Sequence, residues 1–249
     1  MQKFNYLLQL GDNALILSQR LGEWCGHGPV LEQDIAMTNI ALDLLGQTRM
    51  LLSYAGEVEG RGRSEDDLAY FRDAHQYRNV LLVEQPNQDW AYTTARQFFF
   101  DTYNFYHCQA LTGSKDARLA AIAEKALKEI TYHLRYSSEW MIRLGDGTEV
   151  SHQKMQTAVD DLWMYTGELT TPNDTEQQAA AEGYGVDLSE IKPLWTEKVA
   201  AVLQEATLKQ PAADTWMQGG GKDGRHTEHL GFILAELQHV QRSYPGLEW

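Results

Sequence analysis

The sequence predicts an all-α protein, a bundle of long helices joined by short turns. Three observations predict it. Apolar residues recur at steps of three and four over long windows, the period of one helix face. Proline is scarce, with six in 249 residues. Glycine clusters, rather than proline-rich or alternating segments, punctuate the chain, and these are turn signals.

Leu7, Leu10, Ala14, Leu17 and Leu21 form the first stripe. Gly22, Gly26, Gly28 and Pro29 mark a turn. A second helix is expected from about Pro29 or Val30 to Tyr54. Leu31, Ile35, Thr38, Leu42, Leu45 and Leu52 are read as its core face. Gly56, Gly60 and Gly62 end that region, and Ser64 with Asp67 reads as a capping pair for a third helix. That helix is expected to stop before Gln85-Pro86-Asn87. A fourth should span roughly Asp89 to Leu111, with Ala91, Ala95, Phe98, Thr102 and Phe105 on its stripe. A fifth, about Asp116 to Leu144, ends at Gly145-Asp146-Gly147, and a sixth covers roughly Val150 to Thr166. The stretch from Thr170 to Gly185 is looser, with at most a short helix from Asn173 to Glu182. A seventh long helix runs about Leu188 to Leu208. Gly219-Gly220-Gly221 reads as a flexible loop, and a last helix, Thr227 to Ser243, follows. No internal repeat or low-complexity segment breaks the pattern. The expectation is one domain over residues 1–249, a core bundle of about 1–167 and a C-terminal helical extension of about 168–249.

Composition narrows the function classes. A chain of 249 residues can bury roughly 70–75% of its unfolded surface, so it needs no covalent staple. Two cysteines, Cys25 and Cys108, lie far apart in sequence; a reducing cytosol is the expected compartment. The first residues do not read as a signal peptide, because Gly11, Asp12 and Asn13 interrupt the apolar run. No stretch approaches the ~20 apolar residues of a membrane span. Net charge is −14, which argues against a nucleic-acid partner. A local basic pocket for a phosphorylated ligand stays open.

A four-helix bundle can hold two irons, with single carboxylates from two helices and a Glu-x-x-His from each of the other two. Residues i and i+3 share a helix face and so reach one metal. This chain shows such slots without their ligands. The second helix offers Asp43-x-x-Gly46, and the fifth offers Ile130-x-x-His133. Neither glycine nor isoleucine can ligate. Glu129 and His133 stand at i and i+4, and Asp101 on the fourth helix could add an oxygen. The preferred reading is that Asp43 and Asp101 are buried or half-buried polar residues satisfied by neighbours. The competing reading is a free-standing metal oxidase with a degenerate site of Asp43, Asp101, Glu129 and His133. His226-x-x-His229 at the start of the last helix reads as a solvated turn rather than a metal pair. Cys25-x-His27 lacks further ligands, and no phosphate loop or nucleophile elbow is present.

Several stretches carry a resemblance. Trp24-Cys25-Gly26-His27-Gly28-Pro29 leads into Leu-Glu-Gln-Asp-Ile-Ala, and Ala41-Leu42-Asp43-Leu44-Leu45-Gly46-Gln47 follows. Arg143-Leu144-Gly145-Asp146-Gly147-Thr148-Glu149 precedes Ser151-His152; Trp163 to Leu169 reads WMYTGEL; Asp223-Gly224-Arg225-His226-Thr227-Glu228-His229-Leu230 opens the final helix. Together these resemble, over essentially the whole chain, the C-type subunits of bacterial phenylacetyl-CoA 1,2-epoxidase (ring monooxygenase) complexes. The resemblance implies a ferritin-like bundle with additional C-terminal helices. It implies a cytoplasmic, non-catalytic structural subunit that pairs with and stabilises a catalytic subunit. No cofactor is expected in this chain; the di-iron centre is expected in that partner. Further complex components and a reductase complete the assembly, with no nucleic acid and no membrane.

With phenylacetyl-CoA as the implied substrate, a coenzyme A contact wants a cation, a ring and amide donors. His75-Gln76-Tyr77-Arg78-Asn79 gathers these types. Gln177, Gln178 and Ala179, near a helix start where free N–H groups favour an anion, are the second candidate, with Glu176 counting against it. Tyr92, Tyr103 and Tyr106 are candidate outward aromatics for the partner contact.

Overall fold

A computed structural model describes residues 2–247 of the chain. It is all-α, of the ferritin-like class, and no strand occurs among the described residues. Eleven α-helices are described: α1 (Gln2–Gly22), α2 (Leu31–Glu59), α3 (Glu65–Tyr70), α4 (Trp90–Leu111), α5 (Ala117–Gly145), α6 (Glu149–Trp163), α7 (Gly167–Thr170), α8 (Asp174–Glu182), α9 (Leu188–Glu205), α10 (Glu228–Leu237) and α11 (His239–Ser243). Three 3-10 turns join them. The chain divides into two compact units. The first holds the chain up to Gln85 and from Gly220 onward; the second is Pro86–Gly219.

In the first unit, α1 packs on α2. The crossing is close at Gly11, where an added Cβ would stand 2.7 Å from a Leu52 methyl. Thr48 donates to the Leu44 carbonyl beside it. The predicted α1 stripe holds at Leu7, Ala14, Leu17 and Leu21. The polar residues of α1 are buried as well. Asp12 pairs with Arg72 and accepts from the Arg78 amide at 2.9 Å; Asn13 accepts from the Val80 amide at 2.8 Å. Those bonds decide the next segment. The Ser64/Asp67 capping box starts α3 as expected, but the helix ends at Tyr70 instead of running to Gln85. Arg72 turns back onto the Leu68 carbonyl, and α1 side chains claim the amides that a continuing helix would need. Two 3-10 turns, Ala74–Gln76 and Leu81–Glu84, result. The second turn and the Val80 before it bury Val80, Leu81, Leu82 and Val83 consecutively, which a one-faced helix could not do.

The α2 expectation needs correction. Leu31, Ile35, Leu42 and Leu45 are exposed, and the buried face is instead Met37, Ile40, Leu44, Leu51, Leu52 and Ala55. Of the predicted stripe only Leu52 is core. Both stripes are apolar at helical spacing, so periodicity alone selected the wrong one.

The C-terminal part of the first unit also differs from expectation. Gly221 is a tight packing position in a 3-10 turn, Gly221–Asp223, where an added Cβ would collide with the Asn79 carbonyl. The last helix is divided at Gln238 into α10 and α11, and the Gln238 amide reaches Tyr77 Oη (2.9 Å) and the Arg72 carbonyl (3.0 Å).

In the second unit, α4, α5, α6 and α9 pack together. Asp89, Asp116, Thr148, Asn173 and Asp187 cap α4, α5, α6, α8 and α9, each accepting a first-turn amide. Phe99, Trp163 and Trp195 form a ring cluster with centroids 5.8–6.2 Å apart, and Trp195 Nε1 donates to the Phe99 carbonyl at 3.0 Å. Tyr92 and Tyr103, expected to face outward, are buried in this packing; Tyr106 is half-buried.

Candidate functional site

The ligand slots fall in different units. Asp43 and Gly46 lie on α2 in the first, Asp43 half-buried and Gly46 exposed. In the second unit Asp101, Ile130 and His133 are all buried. Asp101 accepts from Gln97 Nε2 at 2.7 Å. Burial pushes its carboxyl up to about 6, against the opposing pull of His133 and of hydrogen bonds from Ser137 and Gln97. Ile130 is an ordinary core residue, with no exposed surface. Glu129 is half-buried, and its charge adds to the burial that pushes the Cys108 thiol up to about 12.

These residues do not fit a di-iron centre. Two of the four slot positions carry no donor atom at all. Among the described residues no group of three His, Cys, Asp or Glu converges in a way that could hold a metal ion. A di-iron site takes its carboxylates from four helices, and these slots do not supply them.

The coenzyme A candidates are placed as follows. Gln76 is exposed, with its side-chain oxygen accepting from the Asp73 amide at 2.8 Å. Tyr77 is fully buried, its hydroxyl donating to the Ala69 carbonyl and accepting from Gln238. Asn79 is fully buried and donates to Glu84 at 2.9 Å. Arg78 is half-buried, with Nη1 donating to the His75 and Tyr77 carbonyls at 2.8 and 2.7 Å. Its pKa lies below the usual range because of desolvation, with Asp12 opposing. Gln76 and Arg78 are therefore the members that solvent reaches. At α8, Gln177 and Gln178 are exposed and Ala179 is buried. Asn173 and Glu176 close a capping box there, so a carboxylate already stands where a phosphate would seek amides.

Sequence reasoning missed a buried hub in the first unit. Glu84 has no exposed surface. One oxygen lies 2.5 Å from His226 Nδ1 and 2.9 Å from Asn79 Nδ2. The other accepts from the Thr227 amide (2.9 Å) and hydroxyl (2.6 Å). The Glu84 carbonyl accepts from Arg20. His226 is thus tied to a buried carboxylate rather than solvated, as the sequence suggested. Its other nitrogen lies 3.1 Å from the Tyr77 carbonyl. The signal was available only in part. Thr227 before an apolar helix reads as a cap, yet its side chain serves Glu84, 143 residues away.

The all-helical architecture defines the class, a helical bundle. The chain belongs to the phenylacetic acid catabolic protein family, whose model matches residues 1–249. It is 52% identical over 244 residues to the C component of the 1,2-phenylacetyl-CoA epoxidase of Escherichia coli (strain K12), covering 98% of each chain. No described helix is long and apolar enough to cross a membrane.

Proposed function

We propose that this chain is a non-catalytic structural subunit of a multicomponent phenylacetyl-CoA 1,2-epoxidase. It pairs with and stabilises a di-iron catalytic subunit in the cytoplasm, with a reductase supplying electrons. The observation that carries the reading is Ile130, a fully buried residue without a donor atom at a slot where the helix spacing would put a ligand. The likeness to an epoxidase component supports it. The chain's own role is then to present surface to its partner, and to contact the coenzyme A part of the substrate through the reachable Gln76 and Arg78.

The test is elemental analysis of the chain purified alone from iron-rich cells. The expected iron content is far below stoichiometric; about two irons per chain, the content of a di-iron bundle, would overturn the reading. Co-expression with the di-iron subunit should give a stable complex at micromolar concentration.

A further inference from the structure

The outward stripe of α2 is a run of exposed apolar residues on one helix face. Val30, Leu31, Ile35, Leu42 and Leu45 are between 46% and 71% exposed. From Leu31 the apolar positions follow steps of four and three along the helix, with Thr38 between Ile35 and Leu42. This is the spacing of a helix–helix seam rather than of scattered surface residues. It spans about 21 Å of helix at 1.5 Å per residue. At its C-terminal end a groove of about 420 Å³ opens beside Leu42, Leu45, Gly46 and Leu52, with Leu15 in its lining and Arg49 and Tyr70 at its edge. Gly46 leaves the surface low there, since an added Cβ would meet nothing within 4 Å. A seam that ends in a groove suits a helix that lays an apolar stripe along α2 and inserts one large apolar side chain.

We infer that the α2 stripe, Leu31 to Leu45, docks an amphipathic helix of a non-identical partner, one with basic residues beside its apolar stripe and a large apolar anchor opposite Gly46. Charge decides against a second copy of this chain. Glu32, Asp34 and Asp66 lie around the stripe and groove, and Arg49, at the groove edge, is paired with Glu65 at 3.2 Å. Self-pairing would set acid against acid and bring together two chains of net charge −14. A partner helix flanked by Lys or Arg meets the same rim favourably. The inference rests on the heteromeric reading above, and it assigns that reading a face and a partner chemistry.

The experiment uses the full chain co-expressed with the di-iron subunit of the same complex. The double variant Leu42→Glu/Leu45→Glu should weaken association at least a hundredfold, while Phe232→Glu, at an exposed position on α10, leaves it unchanged. A benzophenone side chain at position 42 should crosslink to a helix of the di-iron subunit that carries Lys or Arg near the adduct. Raising salt should weaken the wild-type complex. Wild-type affinity in the double variant, with no crosslink from position 42, overturns the assigned face and leaves the pairing standing. A crosslink between two copies of this chain overturns the non-identical partner. Failure of the wild-type chains to associate at micromolar concentration overturns both this inference and the reading it rests on.

Discussion

Glu84 in the first unit and Asp101 in the second are both buried carboxylates, and their surroundings differ sharply. Glu84 is ringed by donors from Asn79, His226 and Thr227. Asp101 accepts from Gln97, one turn back on its own helix, and faces His133 and Ser137, yet burial pushes its carboxyl up to about 6. A buried carboxylate ringed by donors from far along the chain can fasten distant segments together; where burial outweighs the partners, desolvation sets the carboxyl's titration. Glu84 joins residues 79 and 226–227 into one unit. Asp101 links α4 to His133 and Ser137 of α5 within the second unit.

The largest expected effect comes from breaking the donor-rich side of that contrast. Glu84→Ala leaves the His226, Asn79 and Thr227 donors buried without their acceptor. The expected cost is about 3–5 kcal/mol, seen as a fall in Tm of roughly 10 °C in a thermal melt. A melt within about 2 °C of wild type, the shift from less than roughly 1 kcal/mol, would show that the hub does not fasten the C-terminal segment.

Asp101→Asn sharpens the other side. The folded carboxyl titrates at about 6 against an ordinary 3.8, so the folded state binds more protons between these values. Stability from the protonated form is fully present below pH ~4 and is lost as pH rises through about 6, a change of about 3 kcal/mol. Asp101→Asn should remove this slope and be more stable than wild type at neutral pH. Denaturant melts at a series of pH values check it. Parallel wild-type and variant curves would mean that Asp101 stays ionised in the folded chain.

The smallest stability effect is expected at Arg78, which donates to two carbonyls at the edge of the Glu84 segment. Arg78→Ala should shift the melt by less than about 1 kcal/mol. In the assembled complex it should weaken phenylacetyl-CoA binding, most at low salt. An unchanged KM at low ionic strength would remove Arg78 from the substrate contact and leave it a carbonyl-capping side chain.

The long helices were readable because their signals are local. Ser64 with Asp67 gave the start of α3, and the stripe from Leu7 to Leu21 gave α1. The exposed α2 stripe, the early end of α3 and the packed Gly221 turn were not readable. Each depends on residues far off in sequence: Asp12 and Asn13 bonding to residues 78 and 80, and the Asn79 carbonyl standing against Gly221.

The sequence by itself determined helix content and most helix boundaries, because periodicity and caps act within a few residues. Only the tertiary structure decided which of two apolar faces of α2 is core. Both faces satisfy the helical period, and the choice is made by the face that packs on α1. The same holds for His226, whose pattern on a helix start suggests solvent. It becomes a buried partner only because Glu84, with no exposed surface, needs donors that its own neighbours in sequence do not supply in full.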